Sequence, residues 1–411
     1  FQAEDGIRDS STSRGLGDVY KRQEYYMSSK LKVLQVIPRL DYGGAEIGCY
    51  DLAHYLSEQK SKSYIATSGG KLTKYINKKK VKLFKTPVHS KNPILMILNI
   101  FILSLIVLFY RINVIHVRSR APAWSCYFVA KITRCKLVTT FHGTYNFNSS
   151  LKKYYNSIML KSDCVIAGSN FIFKHISENY PEHVPKMKKF LVIFRGINTE
   201  YYDPNNINKK ERTKFFAKLN IEPGKKIILM PGRLTEWKGQ ELLIESLNIL
   251  KNNFGYKNFV AIILGSDQGR DTYKKKLERL VEQHRLNNDV IFLEHANSMP
   301  VAYSIANVVV SASIEPEAFG RVSVEAQSMK RPIIASDIGG SKETIIDNRT
   351  GLLFKSEDPK SLSEKIDNIF RSDDTTLNAM GNSGRKNVEQ KFNVEKMCFS
   401  TYSEYKKLIN A

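Results

Sequence analysis

Short runs of aliphatic and β-branched residues alternate along the chain with longer stretches in which apolar residues recur every three to four positions. The short runs predict buried strands, and the longer stretches predict amphipathic helices. Strands that alternate with helices form parallel sheets covered by helices on both faces. The pattern therefore predicts an α/β protein built from doubly wound sheets.

The predicted strands form two sets, separated by a polar stretch from Tyr201 to Gly224 that we expect to mark a domain boundary. The first set is Val33–Ile37, Val114–Val117, Lys136–Thr140, Cys164–Ala167 and Leu191–Phe194. The second set is Ile227–Met230, Phe259–Leu264, Val290–Leu293, Val308–Val310 and Pro332–Ala335. We therefore expect an N-terminal domain over 27–200, a C-terminal domain over 201–392, and a final helix over 393–411 whose expected place is against the N-terminal domain.

Residues 1–26 have no hydrophobic period and no apolar core, whereas strand-like sequence begins soon after Met27. The stretch is similar to a translated adapter or cloning remnant. We expect it to be a non-native leader that takes no part in the fold.

The chain carries a large excess of positive charge. Among 411 residues, 63 Lys and Arg face 40 Asp and Glu, which gives a formal charge of +23. Such an excess favours an anionic partner, which could be nucleic acid, a membrane surface or a phosphate-bearing substrate. The five cysteines are scattered without CxxC spacing, which favours a reducing cytoplasm and neither a disulfide framework nor a zinc site.

The run from Ile94 to Tyr110 is almost wholly apolar and lies at the short end of the length that spans a bilayer. A strand-like segment follows it after one short turn, which favours a helix within the α/β domain, either buried or leaning on a membrane. Nine lysines and no acidic residue lie between Lys60 and Lys85. They favour docking on anionic lipid, and a solvated lysine-rich loop is the alternative.

Three motifs follow predicted strands, where ligands of parallel sheets bind. The pair Gly43–Gly44 precedes a predicted helix and fits either a tight turn or an anion site. Arg233 and Lys238 share a second strand-to-helix loop and could hold a diphosphate, unless they are simply solvated cations.

The third motif contains Glu317 and Glu325, separated by seven residues, with Phe319 and Gly320 between them. Carboxylates accept hydrogen bonds from sugar hydroxyls, and Gly320 permits close approach of the backbone. The alternative is an acidic helix start stabilised by the helix dipole.

Together these residues resemble glycosyltransferase family 4, retaining enzymes of the GT-B fold, in which two Rossmann-like domains face a cleft. The resemblance runs from Met27 almost to Ala411. Further matches are His142 within Thr140–Gly143, Ala167–Ser169 and Asp337–Gly340, with Glu343 and Gly351 after them.

The resemblance implies a role for each motif. Arg233, Lys238 and the Gly43–Gly44 loop would bind the donor diphosphate. Glu317, Phe319 and Gly320 would hold the donor sugar, and Glu325 would hold the ribose. His142 and Glu317 would be the catalytic residues at the transferred sugar, although a lone histidine is more often structural.

Two further features concern short segments of the chain, one a resemblance to a subgroup and the other a departure from the family pattern. Val117–Trp124 and Thr139–Tyr145 look like the bacterial subgroup that assembles lipopolysaccharide core, which makes Arg118 and Arg120 candidates for an anionic acceptor or for a structural ion pair. Arg195 departs from the family pattern, because many relatives have Asn before the interdomain glycine.

We therefore expect a metal-independent retaining glycosyltransferase that transfers a sugar from a nucleotide sugar to a glycan or lipid-linked acceptor in cell-envelope polysaccharide or lipopolysaccharide biosynthesis. No Asp-x-Asp pair is present, so no metal or other cofactor is expected. We expect the enzyme in the cytoplasm, peripherally on the inner membrane face, without nucleic acid. The alternatives are a GT-B hydrolase, epimerase or phosphorylase, and a basic nucleic-acid-binding protein.

Overall fold

The computed structural model describes residues 31–145, 149–269 and 271–410, so the expected leader 1–26 lies outside the described residues. The strands of the first domain are β1 (Lys32–Val36), β2 (Lys62–Thr67), β3 (Val81–Lys85), β4 (Val114–Val117), β5 (Lys136–Phe141), β6 (Cys164–Ala167) and β7 (Phe190–Val192). Those of the second domain are β8 (Lys226–Pro231), β9 (Phe259–Leu264), β10 (Val290–Leu293), β11 (Val308–Ser311), β12 (Ile333–Ser336) and β13 (Leu352–Phe354).

Helices connect these strands in both domains. In the first half of the chain they are α1 (Gly44–Glu58), α2 (Pro93–Tyr110), α3 (Arg120–Thr133), α4 (Ser150–Ser157) and α5 (Asn170–Asn179). In the second half they are α6 (Lys209–Lys218), α7 (Gln240–Asn252), α8 (Asp271–Gln283), α9 (Met299–Ile305), α10 (Arg321–Ser328), α11 (Ser341–Thr344), α12 (Pro359–Arg371), α13 (Asp374–Lys391) and α14 (Val394–Asn410).

Each domain contains one parallel sheet with helices on both faces. The strand order is β3-β2-β1-β4-β5-β6-β7 in the first sheet and β10-β9-β8-β11-β12-β13 in the second. In β1, Leu34 and Val36 pack into one apolar cluster while Val33 packs into another, as the two-residue period of a strand requires. The predicted fold class of two doubly wound domains is confirmed.

Every predicted strand overlaps an observed one, but the pattern missed β2, β3 and β13. Both β2 and β3 lie in the lysine-rich segment that the sequence described only by its charge. In β2 the exposed Lys62 comes before five buried residues, and in the edge strand β3 the exposed Lys82 and Lys85 lie among buried or partly buried apolar residues. Lysines at the ends and on the outer strand of a sheet keep its edge in water.

One helix among the described residues, α2, is long and apolar enough to cross a membrane, and 17% of it is buried. It connects β3 to β4, which belong to the same sheet. A position across a bilayer would separate those strands. The helix therefore fits the alternative of a domain helix with an exposed apolar face.

The chain crosses between the domains twice, at neighbouring points. Ile193 packs in the first domain and Ile197 in the second, a few residues before the expected boundary at 200/201. The stretch after Tyr201 lies on the second domain and contains α6. The chain returns at Asn393, which pairs with Ile197 in a parallel bridge.

The last helix, α14, packs against α1 and belongs to the first domain. Its Tyr405 is fully buried, and the hydroxyl bonds to Nδ1 of His116 in β4. Nε2 of His116 bonds to Thr140 Oγ1 at 2.7 Å. A chain of three buried polar groups therefore joins the C-terminal helix to the centre of the first sheet.

We predict that Tyr405→Phe lowers the free energy of unfolding by about 1–3 kcal/mol, because it leaves a buried nitrogen of His116 unpaired. Chemical denaturation measures the change. Tyr402→Phe, on the half-buried side of the same helix, is the control and should cost about 0.5 kcal/mol or less. Equal effects of the two substitutions would contradict the prediction.

Candidate active site

Several of the predicted site residues follow the strands at which each sheet reverses its order. In the first sheet the reversal lies between β1 and β4, and in the second between β8 and β11. Loops at the carboxyl ends of such strand pairs diverge and leave a crevice for a ligand. Gly43 follows β1, Arg118 follows β4, Lys238 follows β8 and Glu317 follows β11.

Lys238 and Glu317 meet in the crevice of the second domain. Lys238 Nζ lies 2.6 Å from Glu317 Oε1, and both side chains are nearly buried. Ser313 Oγ donates to the same oxygen at 2.6 Å, and Ser311 Oγ lies 3.4 Å from it. In the sequence these two residues belong to separate motifs. The structure brings them into direct contact.

The backbone around Lys238 explains how its side chain reaches Glu317. Residues Glu236–Lys238 form one 3₁₀ turn that ends at Gly239, which adopts the left-handed conformation at φ 74°. A Cβ at Gly239 would collide with the carbonyl oxygen of Ala312. Glycine therefore lets the loop after β8 pass directly against the loop after β11.

The ion pair controls the protonation of Glu317. Burial raises the pKa of Glu317, but the charge of Lys238 and the hydrogen bonds from Lys238, Ser313 and Ser311 lower it further. The net pKa lies below its ordinary value, so the carboxylate is charged at neutral pH. An ionised acceptor and a paired cation are therefore ready in the crevice.

Arg233 lies on the same loop as Lys238 but differs in environment. Its side chain is exposed, and it forms no ion pair with the residues that the structure describes. Its backbone carbonyl accepts a hydrogen bond from Gln240 Nε2 at 2.9 Å, which fixes the loop. The guanidinium is thus free to meet an anion from the solvent side.

Glu325 is held by three side chains within the second domain. Arg321 Nε donates to one carboxylate oxygen at 2.5 Å, and the Tyr303 hydroxyl donates to the other at 2.8 Å. Tyr202 also approaches this pair, and burial followed by the charge of Glu325 raises its pKa. The sequence predicted Glu325 but missed the two tyrosines, because no sequence spacing connects them to it. Only Arg321 lies four residues before Glu325, the spacing at which side chains on a helix are neighbours.

Phe319 and Gly320 differ in what they offer a ligand. The Phe319 ring is buried against Phe392, with ring centroids 5.6 Å apart, so only its backbone remains for contact. Gly320 adopts φ 80° and begins α10. The loop rests on Gly340, whose N–H donates to the Glu317 carbonyl at 2.7 Å, and a Cβ at Gly340 would lie 2.6 Å from Phe319 Cα.

In the first domain, Gly43 and Gly44 form the turn into α1. A Cβ at Gly43 would collide with the carboxylate of Glu46, which lies over the start of the helix. A Cβ at Gly44 would lie 3.2 Å from Arg195 Nη2, and Arg195 donates a hydrogen bond to the Gly44 carbonyl. The turn is therefore occupied by one acidic and one basic side chain of the protein.

His142 follows β5 and lies beside the same turn. Its Nδ1 is 3.1 Å from Arg195 Nη1, and its Nε2 is buried without a hydrogen-bond partner among the described residues. Burial and the neighbouring charges of Arg195 and Arg118 lower the pKa of His142 well below its ordinary value. The ring is thus neutral at physiological pH.

The two acceptor candidates point in different directions. Arg118 is buried, and its Nε donates to Gln35 Oε1 at 3.0 Å, close to Arg195. Arg120 instead stacks on the Tyr145 ring at 4.2 Å and donates to Asn156 Oδ1 at 3.0 Å. The structure places Arg118 near His142 and the Gly44 turn, and it separates Arg120 from them.

Direct contacts join the two crevices. Ser169 Oγ, before α5 of the first domain, donates to the Ala318 carbonyl at 2.5 Å. The Glu343 carboxylate of α11 accepts hydrogen bonds from the N–H groups of Asn170 and Phe171 at the start of α5. The loop that carries Glu317 therefore faces the first domain, and the predicted residues other than Arg120 come from the two crevices that meet at this contact.

Within the ranges 31–145, 149–269 and 271–410, no group of three or more His, Cys, Asp or Glu side chains is arranged to hold a metal ion. The cations of the cleft are side chains: Lys238, Arg233, Arg195, Arg118 and Arg321.

Comparison with known proteins agrees with this geometry. The family model "Glycosyltransferase Family 4" matches residues 42–201, and "Glycosyl transferases group 1" matches residues 211–387. A solved glycosyltransferase from Rickettsia africae is 36% identical and superimposes with a TM-score of 0.84 over 93% of this chain and 99% of that one.

Two more distant relatives carry more specific descriptions. Anabaena HepE, solved in complex with UDP-glucose, is 19% identical, with a TM-score of 0.77 over 91% of this chain and all of that one. The capsular polysaccharide biosynthesis glycosyltransferase CapM of Staphylococcus aureus is 30% identical over 48% of this chain and 49% of its own length. With one family model matched in each domain and a 36% identical glycosyltransferase covered almost in full, the chain belongs to glycosyltransferase family 4 and has the GT-B fold.

Proposed function

We propose that the protein is a retaining glycosyltransferase that transfers a sugar from a nucleoside-diphosphate sugar to a glycan or lipid-linked acceptor in cell-envelope polysaccharide biosynthesis. The observation that carries the proposal is the Lys238–Glu317 pair at the carboxyl ends of β8 and β11, facing the first domain. The description of HepE as bound to UDP-glucose supports a nucleotide-sugar donor, and that of CapM supports an envelope polysaccharide. Lipopolysaccharide as the pathway rests on the sequence resemblance around Arg118 and His142.

The chemistry follows from the charges that the cleft supplies. Transfer leaves negative charge on the departing diphosphate, and fixed cations stabilise that charge as it develops. Lys238 has three donors, so it can bind a phosphate oxygen while it retains Glu317. Arg233 adds a planar fork from the solvent side, and Glu317 accepts from sugar hydroxyls.

Retention of the anomeric configuration is expected through attack on the same face that the diphosphate leaves. A double displacement needs a carboxylate free to act as nucleophile. Glu317 is engaged by Lys238 and Ser313, and Glu325 by Arg321 and Tyr303. Neither is free for that role in this arrangement.

We predict that one nucleoside diphosphate from a panel of uridine, guanosine, adenosine and cytidine diphosphates, or its sugar, raises the melting temperature. A ligand at 100 times its dissociation constant stabilises by about 2.7 kcal/mol. Arg233→Met removes an exposed cation without leaving a buried charge, and it should weaken binding about tenfold. Lys238→Met with Glu317→Gln removes the buried pair together and should abolish the shift.

The matched control is Lys360→Met, an exposed lysine on α12 of the same domain. It should bind the nucleotide as the unchanged protein does. The absence of a shift with every nucleotide, or an equal loss in the control, would contradict the prediction.

We also predict that transfer continues in excess EDTA at an unchanged rate, because the side-chain cations supply the charge that a metal would supply. Product analysis with radiolabelled donor measures transfer, and nucleotide release should be slow when no acceptor is present. Rapid release without acceptor would favour a hydrolase or epimerase. A loss on chelation that Mg²⁺ or Mn²⁺ restores would contradict metal independence.

We further propose that the enzyme docks on the cytoplasmic face of the membrane through an apolar face on α2 and α3. This face consists of the exposed residues Ile94, Ile97, Leu98, Phe101, Leu105, Leu108, Phe109, Phe128 and Ile132. Exposed apolar area of this extent is typical of a binding surface. Lys82, Arg111, Lys131 and Arg134 are exposed at its margins, and Lys82 bonds to Tyr110 at the end of α2. Their charge complements anionic lipid at about 1 kcal/mol per residue.

We predict that the protein cosediments with vesicles that contain anionic phosphatidylglycerol and less with neutral phosphatidylcholine vesicles. Phe101→Asp with Leu105→Asp should abolish binding, because it places two charges in the apolar face. Phe399→Asp, an exposed aromatic on α14, is the control and should bind normally. Recovery of the unchanged protein in the soluble fraction at every salt concentration, without vesicle binding, would refute this docking.

A further inference from the structure

The hydrogen bonding of His142 specifies where its proton lies. Arginine has only donors, so the contact between Arg195 Nη1 and His142 Nδ1 at 3.1 Å requires a lone pair on Nδ1. A neutral imidazole with a lone pair on Nδ1 carries its proton on Nε2. That nitrogen is buried and has no partner among the described residues.

Arg195 is fixed on both sides of its guanidinium. Nη1 faces His142, and Nη2 donates to the carbonyl of Gly44. A Cβ at Gly44 would lie 3.2 Å from Nη2, and a Cβ at Gly168 would lie 3.4 Å from the arginine Cγ. Because Gly44 and Gly168 have no side chain, they leave space for the arginine. Its position therefore depends on the loops after β1, β5 and β6.

The charge of Arg195 is retained although no described residue forms an ion pair with it. Burial, followed by the charges of Arg321 and Arg118, lowers the pKa of Arg195 to about 9, against smaller opposing effects of the Glu46 and Asp51 carboxylates. The guanidinium therefore remains a cation at neutral pH. A partly buried cation without a direct ion pair costs free energy, and such a cost persists where the group serves the site.

We propose that Arg195 is a positioning residue that holds His142 in the neutral form protonated on Nε2, so that this N–H is presented to an oxygen of the bound donor. The identity of the ligand rests on the proposed function, whereas the protonation pattern does not. His142 then serves as a hydrogen-bond donor to the sugar or its leaving oxygen and takes no proton through Nδ1.

The groups that surround His142 maintain this state. Arg195 lies on the linker, Arg118 and His116 lie on β4 and its end, and the Tyr145 hydroxyl contacts the His142 backbone. No carboxylate is among the charged groups that act on the ring. A second proton on Nδ1 would also place an N–H against the N–H of Arg195, which breaks their hydrogen bond.

The test is nitrogen-15 NMR of the histidine side chains in the full chain, recorded without substrate, with His142→Gln used to assign the resonance. In the unchanged protein Nδ1 should be unprotonated and Nε2 protonated from about pH 8 to pH 5.5, across the ordinary histidine pKa near 6.5. Arg195→Met removes both donor and charge, so it should give mixed tautomers and protonation at a higher pH. Arg195→Gln keeps a neutral donor and should retain the tautomer.

Activity provides the second readout. Arg195→Met should lower kcat/KM about tenfold, in line with one lost hydrogen bond, and Arg195→Gln should lower it less. Thermal melts of all variants, Arg195→Lys included, show whether each still folds. A proton on Nδ1 in the unchanged protein, or an unaltered resonance in Arg195→Met, would overturn the proposal. The expected tautomer in a protein without transferase activity would refute the proposed function and leave the assignment of His142 standing.

Discussion

The close approach of the two interdomain crossings is the constraint on which the cleft depends. A Cβ at Gly196 would collide with the backbone of Asn393, and Ile197 exchanges hydrogen bonds with Phe392 and Val394. Only glycine permits this approach, and it holds the outgoing and returning chains side by side. Both crossings lie at one place, so the two domains meet there, and Arg195, directly before Gly196, reaches Gly44 and His142 of the first domain.

Several charged side chains lie buried or partly buried in the cleft, although burial of a charge is costly. Their charges are compensated in different ways. Lys238 and Glu317 pair directly, as do Arg321 and Glu325. Arg195 forms no ion pair within the described part of the chain; it donates hydrogen bonds to a carbonyl and an imidazole, and the charges of Glu46 and Asp51 act on it without direct contact. Paired charges cost less to bury than isolated ones, and every isolated charge is a place where an anionic ligand restores the balance. The positive excess of the whole chain is thus also present locally, at the cleft and around α2.

The sequence predicted the architecture because apolar residues recur with one period in strands and with another in helices. It failed at β2, whose apolar run Tyr64–Ala66 is short and lies between polar residues, at the edge strand β3, where Lys82 and Lys85 interrupt the apolar run, and at the short strand β13. In the cleft it found Lys238, Glu317 and His142, since each follows a recognisable strand. It missed Tyr202 and Tyr303, which reach Glu325 from distant segments, and it could only note that Arg195 departs from the family pattern.

The sequence by itself determined the fold class, the two-domain organisation and the family, because these depend on local periodicity and on motifs whose residues are close in the chain. Tertiary structure decided which of those residues touch. The contact of Arg195 with His142 spans 53 positions, and that of Lys238 with Glu317 spans 79. Such contacts arise from sheet order and from the position of one domain against the other, which no local pattern encodes. The separation of Arg118 from Arg120 has the same origin, since the end of a strand and the start of a helix direct neighbouring side chains to different places.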